Sequence, residues 1–230
     1  MEVFVGTSGW SYYWNPDGLD WYVSNSGLNA VELNMSFYRI PFSGVVKSWA
    51  LRGCGLRWSV KVNRLITHVF RFGDRALKVW ERFKRVFKPL DDFIDFYLFQ
   101  LPPSMTPKMA LRIERFVRWV GLDSRFALEV RNISWFRSEL VEWARSLGIT
   151  WVSIDSPDLP LTVYNTSGFV YERMHGRSSW YSHLYSDGEL SDVRDRILRV
   201  KPRRVYVFFN NDHGMLVNSR VMLKLFRESF

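Results

Sequence analysis

The sequence predicts an α/β protein, a single (β/α)8 TIM-type barrel spanning residues 1–230, and three observations carry that prediction. Short apolar runs rich in β-branched and aromatic residues alternate with amphipathic stretches almost from end to end. Eight such runs occur, and their ends are spaced by about 29 residues, close to one strand–helix unit. The runs are nearly continuous in apolar residues, as parallel strands covered on both faces are. An open doubly wound sheet is the competing architecture. It usually announces itself with G-x-G-x-x-G after the first strand, and Gly6-Thr7-Ser8-Gly9 is not that pattern.

The expected strands are residues 3–7, 30–33, 57–62, 94–99, 126–130, 150–154, 169–174 and 204–209. Between them, residues 74–88 place Leu77, Trp80, Phe83, Val86 and Phe87 at three- and four-residue steps, the spacing of one helix face. Arg75, Lys78, Arg82 and Arg85 fill the other side. Thr106-Pro107 opens a helix that carries Ile113, Phe116, Val117 and Val120. Ser138 is the expected cap of the next, which ends at Gly148. Ser186 and Glu189 form a capping box ahead of Leu190, Val193 and Ile197, and Pro202 stops that helix. Residues 156–168 hold two prolines and no helical period, so a helix-poor loop is expected between strands six and seven.

Composition bounds the function. With 32 Lys+Arg against 23 Asp+Glu, the chain carries a formal charge of +9. A 47% hydrophobic and 17% aromatic content excludes a disordered polyelectrolyte. The lone Cys54 excludes an internal disulfide and a thiolate-rich metal site, which points to a reducing, cytoplasmic setting. No apolar run is long enough to span a membrane, and the N-terminal residues lack the basic start and hydrophobic core of a signal peptide, so no membrane partner is expected.

Polar residues gather at or just beyond the C-terminal ends of the expected strands, where a parallel barrel opens into its site. They include Glu32, Asn34, Lys61, Gln100, Glu129, Arg131, Asp155, Arg173, His175, Asn210 and Asn211. Glu129 and Arg131 share a strand face, so they form either a structural ion pair or a catalytic acid kept ionised by its neighbour. Lys61 is a general base, a Schiff-base amine or a fixed charge for an anion. Asp155-Ser156-Pro157 reads equally as a turn and as a site. His175 stands among Arg173 and Arg177, cations that favour a neutral imidazole. The aromatic loops at residues 9–16 and 177–181 wall one side of the mouth, with Trp10 either stacking on substrate or packing.

Six ordered motifs resemble a known family. They are Gly6-Thr7-Ser8-Gly9-Trp10; Val31-Glu32-Leu33-Asn34 with Phe37-Tyr38-Arg39; Val60-Lys61-Val62 with Leu65-Ile66-Thr67-His68; Phe99-Gln100-Leu101-Pro102-Pro103-Ser104; Ala127-Leu128-Glu129-Val130-Arg131 with Trp135-Phe136; and Asn210-Asn211-Asp212. The chain resembles the domain of unknown function 72, or YecE-like, family. That resemblance implies a TIM-type barrel similar in general shape to sugar-isomerase and endonuclease barrels, and it implies no particular reaction. It also adds His68 to the polar cluster. The 156–168 loop, with Val163-Tyr164-Asn165, departs from the pattern where substrate contacts are set.

The expected activity is acid/base chemistry on a small anionic substrate, a phosphorylated sugar or nucleotide-like compound. Lys61, Arg131 and Arg173 hold the anion, and Glu129 with His175 moves protons; Lys61 and Asp155 complete the catalytic candidates. Glu32, Asn34, His68, Gln100, Asn210, Asn211, Trp10 and Tyr38 join the two arginines as substrate contacts. No cofactor is expected; a divalent metal, if bound, would take Glu129, Asp155 and His175. A nucleic-acid binder or nuclease-like enzyme is the alternative suggested by the charge and aromatic loops. A glycosidase ranks lower, since no carboxylate pair stands free of cations. A non-catalytic ligand-binding protein or scaffold remains open, and a single sequence leaves oligomeric state undefined.

Overall fold

In the computed structural model, which describes residues 1–229, eight strands close into one parallel barrel in sequence order. They are β1 (Glu2–Thr7), β2 (Ala30–Leu33), β3 (Arg57–Lys61), β4 (Ile94–Gln100), β5 (Phe126–Glu129), β6 (Thr150–Asp155), β7 (Phe169–Met174) and β8 (Arg204–Phe209). Closure comes from β8, which runs parallel to β1 over six residues from Glu2↔Arg204 to Thr7↔Phe209. The seam between β1 and β2 is shorter, with register pairs only at Gly6↔Ala30 and Thr7↔Val31. Glycine is required there, because a Cβ on Gly6 would lie 2.2 Å from the Ala30 carbonyl oxygen.

Alternation along the strands divides the buried side chains into two apolar clusters. Ala30, Phe96, Leu98, Ala127, Val152, Ile154, Tyr171, Tyr206 and Phe208 fill the barrel interior. The larger cluster lies between strands and helices. The helices are α1 (Gly18–Asn25), α2 (Ser43–Arg52), α3 (Asp74–Phe87), α4 (Ala110–Val120), α5 (Ser138–Ser146), α6 (Asp187–Arg199) and α7 (Met215–Arg227). In α3 the buried Ala76, Trp80, Phe83 and Phe87 form one stripe, set by the period read from the sequence. Among the described residues no helix is long and apolar enough to cross a membrane.

Among the described residues only α6 carries a side-chain cap at its N-terminus. Ser186 accepts from the Glu189 backbone N–H while Glu189 reaches back to the Ser186 backbone, completing the capping box of α6. Ser138, expected as a cap, is instead the first residue of α5; Arg137 holds the cap position in extended backbone and makes no side-chain capping bond. Helices α1 and α2 bury only two side chains each, too few for a periodic signature. Residues 156–168 contain no helix, so among the described residues seven α-helices serve eight strands.

Candidate functional site

The C-terminal mouth of the barrel is organised around Arg173. Its neighbours on β7 show why it points inward: Tyr171, two residues earlier, lies in the interior cluster, so Arg173 shares its face. From there the guanidinium reaches acids on two other strands. Arg173 Nε donates to Glu32 Oε2 at 2.9 Å and Nη2 to Glu32 Oε1 at 2.6 Å, while Nη1 donates to Glu129 Oε2 at 2.5 Å. All three residues are at most 1% exposed. A charge removed from water this completely is tolerable only with partners on every side, and the arrangement supplies them.

Glu32 also accepts from Ser8 Oγ at 2.7 Å, Asn34 Nδ2 at 3.0 Å and Tyr171 Oη at 2.5 Å. Burial pushes its carboxyl up, but Arg173 and these donors outweigh burial and hold it below the usual range. Glu129 behaves alike: burial raises it, and the charges of Arg131, Arg173 and Lys61 bring it down. Its Oε1 pairs with Arg131 Nε, so both oxygens face guanidinium groups.

His175 lies beyond the end of β7, where Arg131 Nη2 approaches its Nε2 at 3.0 Å. Guanidinium has no lone pair, so Nε2 is the acceptor and the ring proton sits on Nδ1. Nδ1 faces Asn210 Nδ2 at 3.2 Å, and a proton on Nδ1 requires the amide to present its oxygen there instead. Burial first, then Arg131, Arg173 and Lys61, hold the His175 pKa well below that of a free imidazole. The ring is therefore neutral. Gly176 follows at φ +114°, where a Cβ would meet the Ser179 carbonyl oxygen at 2.4 Å. This turn brings Trp180 back over the mouth, with the Arg131 guanidinium 4.7 Å from its ring centroid.

Lys61, at the end of β3, is the cation without a carboxylate partner in this group. Its Nζ lies 4.4 Å from the centroid of Phe37 and makes no ion pair among the described residues. Burial and the charge of Arg173 lower its pKa to about 8, against the pull of Glu129 and Glu32. It lines a cavity of about 360 Å3 with Tyr12, Asn34, Tyr38, Tyr181 and Asn210. Thus the loops after β1 and β7 do wall the mouth, but through Tyr12, Trp180 and Tyr181. On the rim, His68 stacks edge-on against Phe37, and burial followed by Lys61 depresses its pKa to about 4. Gln100 ends β4 in register with Glu129.

Three expected site residues lie elsewhere. Asp155 is fully buried on the outer face of β6, because its neighbour Ile154 takes the interior position. It accepts from Arg177 Nε and Arg196 Nη2, both at 3.1 Å, and from Tyr185 Oη at 2.9 Å. The proposed metal set of Glu129, Asp155 and His175 is therefore split by the sheet itself. Among the described residues no group of three His, Cys, Asp or Glu side chains is placed to hold a metal ion. Asn211 is buried behind the mouth, donating to the His183 carbonyl and Asn218 Oδ1, both at 2.8 Å. Trp10 turns into the core and packs edge-on against Trp49 and Trp58, its remaining edge lining a cavity of about 240 Å3 beside the mouth with Ser8, Tyr12 and Asn34. Tyr171 and Tyr12 were not singled out in the sequence. Tyr171's only signal was its two-residue spacing from Arg173.

A closed parallel barrel whose C-terminal mouth gathers charged side chains from β2, β3, β5 and β7 defines a (β/α)8 barrel protein with its site at the active-site face of that fold. More narrowly, the chain belongs to the DUF72 family, described as a protein of unknown function, whose pattern matches residues 4–226. A DUF72 family protein from Thermotoga maritima MSB8 is 27% identical, with a TM-score of 0.83 over 99% of this chain and 100% of its own. A DUF72 family protein from Enterococcus faecalis V583 shares the fold at 21% identity and a TM-score of 0.82, covering 98% of each chain. No curated protein matches.

Proposed function

We propose that the mouth is the active site of an enzyme acting by proton transfer on a small anionic substrate, a phosphorylated sugar or nucleotide-like compound. The observation that supports this reading most is Lys61: a cation with no carboxylate partner, on a cavity of substrate size, with a pKa near 8. Arg131 and Arg173 are already matched by Glu129 and Glu32. With Lys61 protonated, the buried group of Glu32, Glu129, Arg131, Arg173 and Lys61 keeps one positive charge, which draws an anionic substrate to the Lys61 side of a cavity that Asp212 also lines. The ammonium then gives its proton to the leaving or developing oxyanion, and solvent restores it.

This assignment moves proton transfer away from Glu129 and His175, whose polar atoms are engaged. Glu129 becomes a positioning residue for the two arginines. We place the enzyme in the cytoplasm, on the strength of the free, exposed Cys54. The test compares Lys61→Met with Lys61→Arg in binding of inorganic phosphate and sugar phosphates, and in turnover across the same panel. Lys61→Met is expected to lose both. Lys61→Arg is expected to keep binding within a few-fold and lose turnover, because a guanidinium does not release its proton. Wild-type turnover should fall as pH rises through about 8, where the ammonium is lost. Phosphate binding unchanged in Lys61→Met, or a Lys61 amine titrating near the ordinary 10.5, would overturn it.

A further inference from the structure

Beside the mouth, between the loops after β2 and β3 and the outer face of α3, lies a second and larger cleft of about 630 Å3. Three arginines, Arg39, Arg64 and Arg82, line it, all exposed and none in an ion pair among the described residues. No acidic residue lines it. Some surface arginines elsewhere are paired, Arg52 with Asp20, Arg118 with Glu114 and Arg145 with Glu142, whereas three without an acid share this one cleft. Two aromatic rings stand free in the same cleft, Tyr38 at 75% and Phe42 at 70% exposure, with the Arg39 guanidinium 5.3 Å from the Phe42 centroid. From Arg82 the basic surface continues along α3. Arg75, Lys78, Arg82 and Arg85 recur at three- and four-residue steps, all exposed and in no ion pair among the described residues, with Asp74 and Glu81 beside them but bridged to none of the four.

We propose that this cleft binds single-stranded nucleic acid, the arginines taking phosphates and the rings stacking on bases. Unpaired cations in a groove with solvent-facing rings are the two elements such binding uses. A duplex keeps its bases stacked on one another and offers nothing to Tyr38 and Phe42, whereas an unpaired strand presents a base face to each. Tyr38 lines both this cleft and the Lys61 cavity, so a bound strand runs up to the mouth. The phosphates and bases engaged are common to RNA and DNA.

The test is fluorescence anisotropy of the full chain with ten-nucleotide oligo(U) and oligo(dT) as a function of salt. Three phosphate contacts predict a log–log salt slope of about −2, reduced by about 0.7 for each arginine removed. Phe42→Ala is expected to weaken binding by about 5-fold or more. The variant with Arg39, Arg64 and Arg82 all changed to Gln should lose at least about tenfold at low salt while binding inorganic phosphate as wild type does. That last measurement separates failure of the cleft from failure of the mouth. A duplex of the same length, or phosphatidylserine vesicles, binding as tightly as the single strand would overturn the inference. So would a flat salt response, or unchanged affinity in the triple variant. A preference for oligo(U) over oligo(dT), or the reverse, identifies which nucleic acid is read.

Discussion

The protein buries two clusters of acids and arginines back to back, on opposite faces of β6 and β7. Inside the barrel, Glu32 and Glu129 share Arg173, with Arg131, Tyr171, Ser8 and Asn34 filling the remaining positions, and both carboxylates stay ionised. Outside it, Asp155 takes Arg177, Arg196 and Tyr185, while Glu172 is left with an unpartnered Oε2. Burial, then the charge of Asp155, push the Glu172 carboxyl well above its usual range. One residue of strand phase separates Arg173 from Glu172, and it decides whether a buried charge joins the interior cluster beneath the Lys61 cavity or is sealed under α6. Composition is the same in both places, so the site is defined by which face of the strand a residue occupies.

The largest expected effect of breaking this contrast comes from Arg173→Met. It leaves two fully buried carboxylates without their shared partner, and the loss of one member of a buried pair costs about 3–5 kcal/mol. Denaturant unfolding should show that loss at neutral pH, with partial recovery in acid as Glu32 and Glu129 take up protons. A loss below about 1 kcal/mol would show that the interior cluster is hydrated and that its apparent rigidity is unnecessary.

Glu172→Gln probes the outer cluster and should act in the opposite direction. A carboxyl whose folded pKa is raised keeps its proton in the folded state over a pH range in which the unfolded chain has lost it. The folded state then binds more protons, and stability falls as pH rises above about 4.5, the ordinary Glu value. The amide removes that dependence. The variant should match wild type near pH 4 and gain on it as pH rises, by at most about 1.4 kcal/mol per pH unit. Parallel stability–pH curves for the two proteins would refute a protonated Glu172.

The same strand phase explains what was legible in the sequence. All eight strands could be read, because parallel strands covered on both faces are continuous apolar runs, and their spacing gave the barrel. That continuity also hid the phase. In Thr150–Asp155 every residue is buried, so nothing in the pattern said that Ile154 faced inward and Asp155 outward. Glu32, Lys61, Glu129 and Arg173 were found by their position at strand ends, and Asp155 and Asn211 were drawn in by the same rule. The stacking of Trp180 on Arg131 joins segments 49 residues apart and had no local signature. Trp10 shows the converse: a residue in a mouth loop whose ring belongs to the core.

The finest distinction between the clusters lies in two tyrosines. Tyr171 donates to Glu32 inside the barrel at 2.5 Å, and Tyr185 donates to Asp155 outside it at 2.9 Å. Both hydroxyls reach a buried carboxylate, so each Tyr→Phe change removes a charge-assisted hydrogen bond worth roughly 1.5–3 kcal/mol when unreplaced. Glu32 retains Arg173, Ser8 and Asn34, and Asp155 retains two arginines, so a loss of about 1 kcal/mol in each is expected. Stability alone does not tell them apart, whereas the mouth does. Tyr171→Phe weakens the hold on Glu32, one of the charges that sustain the Lys61 ammonium, and should shift the pH at which phosphate binding is lost. Tyr185→Phe acts behind the sheet and should leave that pH where it is. If both variants moved it equally, the two faces of β7 would be electrostatically continuous, and strand phase would no longer separate site from scaffold.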